Sequence, residues 1–409
     1  MGGKAGLPDP DTHREVPCMV TIVTDVHYRM SLALIRDLGQ AGVDVITCER
    51  ESRRPAPGAV SRWSGRHVWL PDADYPEALV RLCRAVGGQY RCRPALLPVG
   101  AATLAAIAGQ PERFSAVCGL CVPSREQLDL LNSKTRLAAL ARRLGIPVPE
   151  SFSRGPEESI PQLAARLPLP CVVKPVCGEK LGLSAGDRYA VARTPEAAEQ
   201  AYRHFLALAG EPPVLQTWLP GRGLGCSILA WEGEVLASIC HLRVREYPAA
   251  GGPSSCCRCV ERPDLLEMAA RLAAEIRLTG LTMFEFKEDA GGAPRLLEAN
   301  PRIWGTFPLT RVSRSRIPLL WCTLAWNSGN PDAAVPLPAL AGPLPRKMIF
   351  AASDLLSAAG CLRQGQPGPA VRAALDLLNP AVADGLFEWG DPRPGLTYLG
   401  SLLRRGRRP

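Results

Sequence analysis

The chain has 409 residues, 46% hydrophobic and 21% charged, an ordinary balance for a folded protein with room for two or three cores. Its net charge of +9 suits anionic small molecules as readily as nucleic acid. With aromatics at 6% and no basic stripe interleaved with them, nucleic-acid binding is not expected. No run approaches the ~20 apolar residues of a membrane span, and the apolar stretch 317–326 is closed by Asn327-Ser328-Gly329, so no membrane role is expected.

Residues 1–16 are polar and lack the apolar core of a signal peptide, which predicts a disordered leader. Fifteen cysteines, an odd number without an export signal, read as reduced thiols of a cytoplasmic protein. Cys118 with Cys121, and Cys256, Cys257 and Cys259, have no histidine beside them, so small core residues are expected rather than zinc ligands. Residues 19–23 predict a short buried strand, followed by a polar turn over 24–29. A helix follows over 31–40, with Leu32, Ile35 and Leu38 on one face and Gly42 past its end. A strand at 43–47, a helix at 76–86, a strand at 95–98 and a helix after Gly100 continue the alternation. That pattern indicates an open parallel sheet, so 17–125 is expected to be an N-terminal α/β domain. No G-x-G-x-x-G follows its first strand, and a dinucleotide role is unsupported. Asp25, His27 and Arg29 follow that strand, where α/β sheets place ligand sites; a polar surface turn is the alternative.

A second domain is expected over 126–330. Ser124 opens a helical linker that runs through 134–144, with Leu137, Leu140, Ala141 and Leu144 as its apolar stripe and Gly145 closing it. The stiff stretch 146–150 follows. Next come a strand at 171–174, a loop at 175–187 and a helix at 195–208, capped by Thr194 with Pro195 at the tolerated first position. A strand at 214–216, a linker at 219–225, strands around 226–230 and 235–242, and a helix at 263–278 complete the series. From Asn330 the chain turns Pro/Ala/Gly-rich, which predicts a boundary and a C-terminal tail region over 331–409.

Residues 281–302 carry the most chemistry. LTMFEFK and RLLEANPR flank EDAGGAP, which predicts a β-hairpin. A loop centred on Gly291-Gly292 sets Glu285 opposite Glu298 and Met283 opposite Asn300. Opposed residues share a face, and like charges there destabilise the pair unless a cation reverses the sign. Mg²⁺ takes one or two carboxylates plus substrate phosphates, and Arg302 is within reach of a phosphate or oxyanion. The hairpin therefore reads as a magnesium–polyphosphate site, the alternative being an exposed edge of solvated charges. The segment 241–258 is the candidate second-substrate site. Arg243 and Arg245 share one strand face by period two, and Arg258 follows the Gly251-Gly252-Pro253-Ser254-Ser255 loop. A guanidinium binds carboxylate bidentately; an exposed basic strand is the plainer explanation.

The ordered phrases NSKTRLAALARRLGIPVPES, CVVKP, LQTWLPGRG, FEFK and LEANPR together resemble the ATP-grasp superfamily over residues 17–330. The closest branch is the ATP-dependent carboxylate–amine ligases, which include D-aspartate ligases and biosynthetic peptide-bond-forming enzymes. The resemblance implies an ATP-grasp fold, mixed α/β and α+β, in which two subdomains clamp ATP behind an N-terminal parallel α/β domain, with a small C-terminal region. It implies that Lys134 and Lys174 neutralise nucleotide phosphates, as mobile point charges. Gln216 and the backbone of Trp218 and Leu219 would read adenine, and Gly178 and Ser184 would belong to the loop covering the phosphates. Glu285, Glu298 and Asn300 would hold Mg²⁺, or Mn²⁺ in its place. Arg302 and Arg245 would be the catalytic cations, with Arg243, Arg245 and Arg258 facing the second substrate. The expected substrates are a small carboxylate and an amine, joined through an acyl phosphate with release of ADP. The alternatives are a biotin-carboxylase-like enzyme or a non-catalytic ATP-binding module, and a homodimer is allowed. Two departures stand out. Gln216 replaces the glutamate common at such hinges, and the ribose-binding acid expected seven residues on falls at Gly223. Glu179 and Lys180 are also unusual in the phosphate loop.

Overall fold

The computed structural model describes residues 19–176, 181, 183, 188–248, 252–340 and 342–405, the last four as backbone alone. The chain begins with β1 (Val20–Val23), β2 (Asp44–Arg50), β3 (Arg66–Leu70) and β4 (Ala95–Leu97), a parallel sheet in the order β3-β2-β1-β4. β1 is buried along its whole length, as a strand covered on both faces requires. The helix Ser31–Gln40 has the predicted bounds and buries Leu32, Ile35 and Leu38. β3 was not foreseen: RHVWL opens with two polar residues and lies at the sheet edge, where only Leu70 is fully buried.

A small antiparallel sheet follows, built from β5 (Ser151–Phe152), β6 (Cys171–Lys174), β7 (Ala190–Ala192) and β8 (Val214–Thr217) in the order β5-β8-β6-β7. The helices Ile160–Arg166 and Pro195–Ala209 supply a separate core of Leu163, Tyr202 and Phe205 against Val173 and Leu215. Thr194 caps the second helix by accepting from the Ala197 N–H at 3.2 Å, one of the orphan donors at any helix start.

The third sheet has seven strands: β9 (Gly223–Trp231), β10 (Glu234–Glu246), β11 (Ser254–Cys259), β12 (Gly280–Glu288), β13 (Pro294–Asn300), β14 (Lys347–Ile349) and β15 (Val382–Asp384), in the order β13-β12-β9-β10-β11-β14-β15. One face packs on the helices Pro263–Glu275 and Lys134–Arg143 through Leu224, Ile228, Phe284 and Phe286. The other face joins the core of the N-terminal sheet through Leu229, Ile239, Met283 and Met348, with the helix Ile317–Gly329 between them. That helix is apolar because it is interior: Trp321 is buried and its Nε1 donates to the Cys121 carbonyl at 2.7 Å. Among the described residues no helix is long and apolar enough to cross a membrane. The cysteines there are free thiols, and all but Cys92 are buried.

Residues beyond 340 return to both sheets. β14 and β15 extend the large one, and the stretch after β15 is tied to the first helix. Buried Arg36 donates to the Asp391 carboxylate at 3.0 Å and to the Leu386 carbonyl at 2.8 Å. Arg311 bridges Glu388 (2.7 Å) and Asp37.

Candidate active site

β12 and β13 form the predicted hairpin in the predicted register, with Glu285 opposite Glu298 and Met283 opposite Asn300. The Asp289 carboxylate accepts from the Gly291 and Ala293 N–H groups at 2.9 and 3.0 Å, and Gly292 takes φ +83°. Next to the turn the ladder pairs Phe286 with Leu296 and Lys287 with Arg295, one residue off the register of Glu285 and Glu298. An extra residue, Leu297, bulges between the Glu285 and Phe286 pairings.

Charge converges on this hairpin from several elements. Lys134, the first residue of its helix after the Ser133 cap, brings Nζ to 3.2 Å from Glu298. Lys174 ends β6 and is buried; desolvation lowers its ammonium to about 8, with Glu298 and Glu285 opposing the shift and Lys134 reinforcing it. On β10, Arg243 pairs with Glu285. The Asn300 amide donates to Glu285 at 3.0 Å, and its oxygen lies 3.5 Å from the Arg302 guanidinium. Burial pushes the Glu285 carboxyl up, with Arg243 opposing. Glu298 is burdened by burial too, but the two lysines and Arg243 outweigh it and hold its carboxyl at about 2. The result is two opposed carboxylates with an amide oxygen beside them, a donor set that suits a hard divalent ion. On β9 the position facing Glu285 is Gly225. A Cβ there would lie 2.2 Å from the His241 ring, so the imidazole packs flat over the strand. His241 is buried and desolvation lowers it to about 3, which makes it neutral at pH 7 and no proton acceptor of consequence.

The remaining predicted residues divide. Gln216 is buried in β8, and its amide donates to Ser151 Oγ at 3.3 Å. The Trp218 N–H donates to the Pro170 carbonyl at 3.3 Å, which takes one hinge donor out of use, and the buried Leu219 follows it. A cavity of about 870 Å³ borders Lys134, Ser151, Val176, Tyr202 and Gln216. Gly178 and Ser184 lie outside the described residues.

Arg245 does not join the cluster. Residues 243 and 245 pair with the adjacent residues Cys257 and Cys256, so Val244 is a bulge and the two arginines face opposite ways. The period-two expectation fails because a bulge inserts one residue and reverses the alternation. Arg245 is held by Asp354 (2.6 and 2.9 Å) and Asp376 (2.7 Å), with Lys347 on Asp376 and Ser255 on Asp354. Arg258 pairs with Leu242, on the face turned from Glu285, and is exposed. Lys287, two residues after Glu285, was missed. It lies on the site face with its ammonium 5.4 Å from the Trp218 ring centre, and the alternation of FEFK was the available signal.

Residues 210–340 match a family model described as ATP-grasp in the biosynthetic pathway with Ter operon. Among solved structures, biotin carboxylase from Campylobacter jejuni in complex with β,γ-ATP superposes with a TM-score of 0.60 at 16% identity, over 80% of this chain and 73% of that one. An L-amino acid ligase from Bacillus licheniformis gives 0.52 at 15%, over 76% and 74%. The biotin carboxylase domain dimer of Hydrogenobacter thermophilus 2-oxoglutarate carboxylase, with MgADP and bicarbonate, gives 0.57 at 14%, over 75% and 69%. No curated protein matches in sequence. The chain is thus a mixed α/β protein in which the small antiparallel sheet meets the charged hairpin of the large, mainly antiparallel one. Its fold is the ATP-grasp fold, shared by ligases and carboxylases.

The Arg245 network is a structural lock by its geometry, since removing one partner strands a buried charge. Arg245→Ala is expected to cost about 3–5 kcal/mol in urea unfolding, because Asp354 is fully buried. A loss of activity with unchanged stability would instead return Arg245 to the chemistry.

Proposed function

We propose that the chain is an ATP- and Mg²⁺-dependent ligase that joins a carboxylate to an amine through an acyl phosphate. The supporting observation is the convergence of Lys134, Lys174, Glu285, Glu298, Asn300 and Arg302 where the small sheet meets the β12–β13 hairpin of the large one. Glu285, Glu298 and Asn300 would hold Mg²⁺, which when bound supplies positive charge to the phosphates. Lys134 and Lys174 are placed to exchange Glu298 for phosphate oxygens, and Arg302 to steady the oxygens of the group in transfer. A substrate carboxylate oxygen attacks the terminal phosphorus and ADP leaves. The amine then attacks the acyl carbon, the carbon–oxygen bond to phosphate breaks, and the amine's proton passes to the departing phosphate. The chain's contribution is positioning and charge neutralisation rather than a titrating base. Of the three arginines expected at the second substrate, Arg243 alone shares the face of the carboxylates. The resemblance would assign Gly178 and Ser184 to phosphate binding.

ADP and phosphate should be released together with a suitable acid and amine, and Glu298→Gln or Asn300→Ala should abolish release with the circular dichroism spectrum unchanged. Production of AMP would overturn the mechanism, and full activity in either variant would overturn the metal assignment. Bicarbonate-stimulated release without any amine would favour a carboxylating enzyme on the same site.

Lys174 adds a pH prediction. Its ammonium is lost above about 8, so ADP affinity of the free enzyme should hold below that pH and fall above it. The sign for stability is opposite. Between about 8 and 10.4 the unfolded lysine binds a proton that the folded one has released, so Lys174's own contribution to stability rises with pH. Weakened ADP binding there, measured by titration calorimetry, is therefore not unfolding.

A further inference from the structure

Gly223 leaves the proposed nucleotide site without the acid expected beside the sugar. The bulge at Val244 brings another acid to that spot. After the bulge that turns Arg245 away, and a second irregularity opposite Ser255, the Glu246 carboxylate comes back to Arg243, the partner of Glu285. Its Oε1 lies 3.5 Å from Arg243 and 3.6 Å from where a Cβ on Gly223 would stand. The Arg243 side chain fills the space nearest the glycine, its Cδ 3.0 Å from that Cβ, and holds the Glu246 carboxylate at the edge of it, reached from β10 instead of β9. Its surroundings are those of a ligand cleft. Gly223 pairs with Lys287 on β12, and Lys287 lies against Trp218 of the hinge. Burial lowers the Lys287 ammonium while Glu246 opposes that shift. Tyr189, at the mouth of the small sheet, has its hydroxyl raised by burial and then by Glu246. Glu246 is partly exposed, with 26% of its side-chain surface open, so a ligand can reach it.

We propose that Glu246 accepts a hydrogen bond from the ribose 2′-hydroxyl of the bound nucleotide, replacing the acid that Gly223 lacks, and so selects ribonucleotides over 2′-deoxyribonucleotides. This rests on the nucleotide reading above and adds the residue and the sugar class. A carboxylate accepting from a 2′-hydroxyl is a known means of ribose recognition, and a base at Trp218 and Leu219 with phosphates at Lys134 and Lys174 leaves the sugar between them, beside Gly223.

Titration calorimetry with ADP and 2′-deoxy-ADP tests it on the intact chain. The wild type should bind ADP at least about tenfold tighter, as a charged hydrogen bond allows. Glu246→Ala and Glu246→Gln should each weaken ADP and leave 2′-deoxy-ADP unchanged, collapsing the preference. The unchanged deoxynucleotide reports that the cleft is still folded, so a merely structural role for Glu246 would move both ligands together. Wild-type binding without ribose preference, or a preference that survives in both variants, overturns this assignment and leaves the nucleotide site standing. Binding of neither nucleotide by the wild type overturns the site and the assignment together.

Discussion

Glu285 and Glu298 face each other across one rung of an antiparallel ladder, and much of the cleft is arranged around their mutual repulsion. Two carboxylates so placed destabilise the hairpin that carries them, and burial makes each charge harder to keep. The chain answers with cations from separate elements: Lys134 from a helix start, Lys174 from the small sheet, and Arg243 from the neighbouring strand. Each is tethered to a different part of the fold, so the balance of charge at the hairpin also brings the two sheets together. A polyphosphate with its metal would present the same cations with an anion and the same anions with a cation. The cleft therefore has the polarity of its proposed ligand before the ligand arrives, which is preorganisation in the electrostatic sense.

The hairpin was legible from sequence because two constraints agreed. The Gly-Gly turn marked the loop, and alternation set Glu285, Glu298, Asn300 and Lys287 on one face, with the bulge at Leu297 bringing Glu298 opposite Glu285. The helix Ser31–Gln40 was legible for a similar reason, its apolar spacing and its end signal coinciding. Arg245 and Glu246 were not, because the bulge at Val244 exchanges their faces and a bulge leaves no mark in residue types. β14 and β15 escaped notice because three-residue strands carry no measurable period; they exist through pairing with a sheet already built. Arg258 was placed with the site by proximity in sequence alone, and the ladder sets it on the opposite face.

The fold itself is shared by carboxylases and by an amino acid ligase, so architecture does not choose between bicarbonate and a larger acid. Cys257 is buried, which pushes its thiol up, and the nearby Arg243 and Arg29 guanidiniums oppose that rise. Arg29 stacks on Phe350 with 3.5 Å from its guanidinium carbon to the ring centre. Three stretches of chain far apart in sequence thus meet at Arg29.

The bond between Arg36 and Asp391 spans 355 residues, and β14 and β15 come from the last quarter of a chain whose sheet they enlarge. During synthesis the first helix emerges long before its partner, and its buried guanidinium has no carboxylate to meet until the last strands have been made. The N-terminal sheet and the large sheet also share one core, so neither can close its apolar face alone. The closing entropy of so long a loop grows only slowly with length, but the order of events is set by topology. The N-terminal layer must wait as an open half-core while the small sheet, with its own separate core, is free to fold first.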